Sequence, residues 1–108
     1  MATDADFAEY LLDLLSDLPG CRYRKMFGEY AVYYEDKVVM LLCDNQAFVK
    51  VTAAGKAYIG TPVEACPYNG AKPAFLIQDK LDDRSWLCEL VRCSAAEIAP
   101  VKKRNRKP

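Results

Sequence analysis

Phe7, Tyr10, Leu11, Leu14, Leu15 and Leu18 recur at the i, i+3, i+4, i+7, i+8, i+11 spacing that lines one face of a helix. Thr3 or Asp4 is placed to cap its start, Asp4 and Asp6 suit the positive end of the dipole, and Pro19-Gly20 stops it. The polar face carries Asp13 and Asp17 where a membrane-surface helix would carry Lys and Arg, so the helix is expected to pack on a core. The period then shortens. Arg22–Met26 reads as a short strand broken at Gly28, and Glu29–Tyr34 and Lys37–Cys43 are rich in aromatic and β-branched residues. Glu35-Asp36 makes a tight turn between the last two, and Asp44-Asn45 a second turn leading into 47–51. Val38-Val39-Met40-Leu41-Leu42 is continuously apolar, which predicts a central strand covered on both faces.

Thr52 caps a short helix ending near Gly60 and weakened by Gly55. Residues 61–73 contain Pro62, Pro67, Asn69-Gly70 and Pro73 and read as an ordered loop or a pair of turns; 74–78 reads as a further strand. Asp82 or Asp83 opens the last helix, with Leu81 and Trp86 as a hydrophobic staple if Asp82 is the cap, and Trp86, Leu87, Leu90, Val91 and Ser94 as its stripe. Pro100 ends the fold. The order α-β-β-β-(β)-α-β-α predicts one two-layer α+β domain over 1–100, an antiparallel sheet of about five strands with packed helices, followed by a disordered basic tail at 101–108.

Composition adds a core and removes chemistries. Hydrophobic residues make up 52% of the 108, enough for a packed interior. The formal charge is zero, but Lys102, Lys103, Arg104, Arg106 and Lys107 hold five of the fifteen basic groups. The first 100 residues carry ten basic and fifteen acidic side chains, a net charge of −5. Such a body argues against a broad phosphate-binding face. Five cysteines in no regular framework, and no leader-like segment, lead to an expectation of reduced thiols in the cytoplasm. No apolar run approaches the roughly 20 residues of a membrane span.

The chain has no histidine and no CxxC, and Cys88 and Cys93 stand about 140° apart around a helix. Its glycines are isolated, so neither GxGxxG nor a P-loop is present. Cys21, near Arg22 and Arg24, is the one mild candidate for a reactive thiol. No catalytic residue, metal ligand or cofactor site is therefore assigned, and no enzymatic activity is expected.

The stretch from Arg22 to Tyr30 interleaves Arg22, Arg24 and Lys25 with Tyr23, Phe27 and Tyr30, and Gly28 permits a bend. Interleaving of this kind suits a protein interface or base stacking. Residue type alone favours the alternative, in which Met26 and Phe27 plug the core and the cations stay solvated. The seven tyrosines concentrate between the two long helices, apart from Tyr10, and suit half-buried sheet faces.

Arg24-Lys25-Met26-Phe27-Gly28-Glu29-Tyr30-Ala31-Val32-Tyr33 resembles the MFGGYGIY-type signature of the TfoX/Sxy N-terminal domain family. Tyr34, Lys37 and the strand ending Phe48-Val49-Lys50-Val51 continue the likeness. So do Pro67-Tyr68-Asn69-Gly70-Ala71-Lys72-Pro73 and the helix with Trp86 and Leu87, so that roughly residues 5–95 are covered. Glu29 and Ala31 stand where the signature has glycines. The resemblance implies a secretion-chaperone-like two-layer fold. It also implies a role near bacterial natural competence, in which such proteins act with the cyclic-AMP receptor protein at promoters. Full-length members have a C-terminal domain, in whose place this chain has the basic tail.

The expected function is a regulatory protein-interaction module, a transcription- or competence-linked adaptor whose contact residues are Arg24, Lys25, Met26, Phe27, Gly28, Tyr30 and Tyr68. The alternative is a nucleic-acid-binding protein using residues 22–25 and weak contacts from Lys102, Lys103, Arg104, Arg106 and Lys107. Exposed strand edges also permit a homodimer.

Overall fold

The computed structural model describes residues 3–99 and adds one strand to the predicted order. The elements are α1 (Ala5–Leu14), β1 (Arg22–Met26), β2 (Glu29–Tyr34), β3 (Lys37–Cys43), β4 (Gln46–Val49), α2 (Ala53–Ile59), β5 (Val63–Ala65), β6 (Ala74–Ile77) and α3 (Arg84–Ala95). The strands form one antiparallel sheet in the order β1-β2-β3-β4-β6-β5. The fold is α+β, as the order of elements predicts.

Three two-residue turns join β1 to β4. Phe27 and Gly28, Glu35 and Asp36, and Asp44 and Asn45 all have positive φ, the condition for a type I′ turn, whose twist matches that of the flanking strands. These turns fix the register, and register decides which side chains share a face. Tyr30, Val32, Met40, Leu42, Ala47, Val49, Phe75 and Ile77 meet Leu11, Leu15, Leu87, Leu90 and Val91 of α1, its continuation and α3 in the main core. Between Val32 and Tyr33 the β2–β3 register shifts, leaving Val39 as a bulge residue. Both Val39 and Met40 are thereby fully buried in that core.

The opposite face carries one cross-strand row through all six strands: Arg24, Ala31, Leu41, Phe48, Leu76 and Val63. Here Cys43, Phe48 and Ala74 form a second, smaller cluster with Leu41, Ala65 and Leu76 against it. The expectation that the apolar run of β3 is covered on both faces therefore holds only in part, because Leu41 is half-buried.

Polar groups from distant elements satisfy the helix ends. Arg84 donates to the Asp13 carbonyl at the end of α1 (2.7 Å), and Lys37 Nζ to the Ala95 carbonyl at the end of α3 (2.8 Å). The Glu97 carboxylate accepts from the Ala53 and Ala54 N–H groups that open α2 (3.0 and 2.7 Å). Thr52 caps α2 as predicted, accepting from Gly55 N–H. Asp83, not Asp82, caps α3 by accepting from Trp86 N–H. Leu81 and Trp86 therefore lose the staple positions, though both still pack on the core. Asp4 holds the N-cap position of α1 without a side-chain bond. The loop predicted at 61–73 contains β5, which pairs with β6 over Val63–Ala65.

Gly55 lies at the third position of α2, where alanine would ordinarily be favoured by about 1 kcal/mol. The packing explains the glycine. A Cβ there would meet Thr52 Oγ1 at 2.8 Å and Ser94 Oγ at 3.0 Å, and the buried Ser94 hydroxyl has no hydrogen-bond partner among the described residues. Gly55→Ala is expected to cost about 1–3 kcal/mol, read as a lower urea midpoint at unchanged slope. Ser94→Ala should be close to neutral alone and should recover part of that loss in the double variant.

Candidate interaction site

The β1–β2 turn is an unusual place for a phenylalanine. Type I′ turns favour Asn, Asp or Gly at their first central position, and a bulky residue at positive φ is a steric outlier. Phe27 has φ 52° and a side chain that is 100% exposed. The core-plugging expectation for Met26 and Phe27 is corrected here: Met26 is 41% exposed, and the turn directs both away from the helix-covered face. Gly28, at φ 82°, supplies the second left-handed position.

A network of backbone and side-chain bonds through Thr3, Glu29 and Asn45 holds this turn. The Thr3 N–H donates to the Gly28 carbonyl at 2.9 Å. The Thr3 hydroxyl lies 2.6 Å from Glu29 Oε1 and 3.1 Å from the Leu42 carbonyl oxygen, and it accepts from Asn45 N–H at 3.3 Å. Glu29 Oε1 also accepts from Asp44 N–H, and Asn45 Oδ1 accepts from Asp4 N–H. Thr3, expected as a helix cap, instead ties the β1–β2 turn to the β3–β4 turn. Glu29, at a glycine position of the signature, supplies the carboxylate for that link.

A cavity of about 460 Å³ opens beside the turn, walled by Met26, Phe27, Glu29, Tyr30, Leu41, Cys43 and Tyr68. Three of the predicted contact residues present exposed side chains here: Met26 and Phe27 from the hairpin, and Tyr68 from the β5–β6 loop, where it is 58% exposed; Tyr30 borders the cavity but is 6% exposed and packs in the helix-covered core. Arg24 and Lys25 are exposed on opposite faces of β1, Arg24 on the face that carries the cavity and Lys25 on that of Tyr30, and form no ion pair among the described residues. Arg22 is engaged, 3.1 Å from Asp36 and stacked over the Tyr33 ring at 4.6 Å. Lys102, Lys103, Arg104, Arg106 and Lys107 lie outside the described residues.

Leu41, Cys43 and Thr3 were not among the expected site residues. Leu41 and Cys43 had a legible signal, since they alternate with Met40 and Leu42 and so belong to the other face of β3. Thr3 had none, because its partners are 25 to 42 residues away.

The thiols here are poor nucleophiles. Burial, then the Glu29 and Asp44 carboxylates, push the Cys43 pKa up. Burial, then neighbouring Cys88, raise Cys21 from 9.0 to about 11, and Arg22 turns to Asp36 and so gives Cys21 no cationic partner. Among the described residues no three His, Cys, Asp or Glu side chains gather into a metal-holding group, and no helix is long and apolar enough to cross a membrane.

Two measurements follow from these environments. Maleimide should modify the exposed Cys66 rapidly in the native protein at pH 8. Cys21 should react slowly there and about tenfold faster per pH unit until about pH 11. Thr3→Ala should lower stability by about 1–2 kcal/mol, because it removes the one hydroxyl proton that Glu29 and the Leu42 carbonyl compete for and the acceptor of the Asn45 N–H. Chemical denaturation reads this loss.

The sequence profile of the TfoX N-terminal domain matches residues 13–98. A chain from Spirochaeta aurantia described as "Uncharacterized 12.7 kDa protein in trpE 5'region" is 37% identical over 107 residues, covering 99% of this chain and 93% of that one. The match spans the Phe27 turn, the sheet, the Tyr68 loop and α3: the chain belongs to the TfoX N-terminal domain family.

Proposed function

We propose that this chain is a non-enzymatic regulatory module that binds a partner protein through the Phe27 turn and the cavity behind it. Phe27 carries this reading. Burial of a phenylalanine side chain is worth about 1.5–3 kcal/mol, which the isolated chain forgoes, and the left-handed conformation costs about 1–2 kcal/mol more. A side chain unfavourable on both counts gains only when something outside the chain covers it. Met26, Tyr68 and the apolar cavity wall lie beside it, the flexible and aromatic surface common in protein contacts. The net charge of −5 over residues 1–100 supports a protein in preference to nucleic acid as the partner. Family membership supports the finer reading, an adaptor that acts on transcription in the manner of TfoX/Sxy proteins in competence.

Phe27→Asn separates fold from function. Asparagine suits the type I′ position, so the variant should be more stable than the parent by about 1 kcal/mol. It should also recover partner protein from native lysate about tenfold less well, the loss of a modest hot spot. Arg24→Ala should lower recovery by a smaller factor while leaving stability unchanged. A destabilised Phe27→Asn, or one that captures the same proteins as the parent, refutes the reading.

A further inference from the structure

We infer that β1 is an acceptor edge, to which an extended acidic segment of the partner adds as a seventh strand, packing one large apolar side chain against the Met26–Phe27 rim of the cavity. This rests on the reading of the Phe27 surface as a protein contact and specifies the chemistry of what binds there.

β1 ends the sheet, and every residue in it is exposed except the half-buried Tyr23. The other edge, β5, is only three residues long. In a two-residue hairpin the residues flanking the turn, Met26 and Glu29, form a hydrogen-bonded pair, and hydrogen-bonded and non-bonded pairs then alternate. Arg24 and Ala31 are the next bonded pair, so Tyr23 and Lys25 turn their N–H and C=O groups away from β2. Among the described residues no other element reaches those groups. They form a ready template for an added strand.

The charges select the occupant. Among the described residues Arg24 and Lys25 have no acidic partner, and Arg22 is already held by Asp36. An acidic segment supplies the missing partners across the new strand pair. A second copy of β1 does not: antiparallel pairing centred on Arg24 sets that arginine against its own copy, a like-charge contact. The alternation of the sheet then places the apolar anchor. Arg24 and Met26 share the helix-free face, so every second residue of an added strand points to that face, on which the cavity opens. Most of the cavity wall is apolar, and Glu29 is its one carboxylate. Such a surface packs against a Phe, Trp or Leu side chain better than against a phosphate-linked base.

Selection from a displayed library of random linear peptides against the full chain tests the inference, followed by fluorescence anisotropy with an enriched peptide made synthetically. Enriched sequences should place Asp or Glu at consecutive positions, one for Arg24 and one for Lys25 on the opposite face, directly beside one large apolar side chain. Lys25→Pro removes an outward N–H that the β1–β2 ladder does not use. It should fold like the parent and weaken the peptide about tenfold beyond the effect of Lys25→Gln. If Lys25→Pro does not fold, hydrogen exchange of the parent decides, since the Tyr23 and Lys25 amides should exchange at least about tenfold more slowly with peptide bound. Enrichment of basic or uncharged peptides overturns the inference, as does equal binding by the two Lys25 variants or unchanged exchange at both amides. Preferential binding of an oligothymidylate over the peptide also overturns it. If Phe27→Asn abolishes peptide binding while Lys25→Pro matches Lys25→Gln, the contact surface stands and strand addition fails.

Discussion

Strand register is the constraint on which this structure depends, and three tight turns set it. Each turn holds its two central residues at positive φ, and five of those six residues are not glycine. Asp36, Asp44 and Asn45 suit that conformation, but Phe27 and Glu35 are unfavourable there by about 1–2 kcal/mol each, a strain that the register imposed by the turns must offset. A slip of one residue would bring Ala31, Leu41 and Phe48 under the helices and turn Val32, Leu42 and Val49 outward. The main core, with Leu11, Leu15, Leu87 and Leu90 packed against the correct set, outweighs the local strain.

The same register gives the sheet two unlike faces. One is sealed by helices whose ends are closed by Arg84, Lys37 and Glu97 from elsewhere in the chain. The other has no helix over it. Its small cluster around Phe48 grades into the open cavity at Leu41 and Cys43, and the Tyr68 loop and the Phe27 turn rise on either side. The proposed contact surface is thus the sheet itself, with the Thr3–Glu29 link beneath the turn of its first hairpin.

Much of this was legible in the residues, and the rest was hidden for identifiable reasons. The turns at Glu35-Asp36 and Asp44-Asn45 and the cap at Thr52 are local signals, and each appears in the structure. The stripe through Leu11, Leu14, Leu15 and Leu18 is buried, but Tyr10 is exposed and the helix ends at Leu14, before the expected stop at Pro19-Gly20, with Leu15 and Leu18 carried inward by the turns that follow. β5 was invisible because Val63-Glu64-Ala65 lies between two prolines and is a strand only through its pairing with β6. Asp82 and Asp83 offered equal caps, and the packing of α3 on α1 through Arg84 and Asp13 is consistent with Asp83 as the cap. Exposure of Phe27 runs against its residue type, since hydrophobicity points a phenylalanine inward. Only the requirement of a two-residue turn for positive φ at position 27 turns it out.

The short turns also shape how the molecule is made. β1 to β4 are neighbours in both sequence and space, so on a ribosome they can zip together as soon as Val49 has emerged. Their apolar side then waits, covered only by α1, until β6 has inserted beside β4 and α3 has been synthesised to close the layer. The half-built sheet is the sticky species on this route, and its lifetime is set by the translation of the last fifty or so residues, ~3–10 s at typical elongation rates.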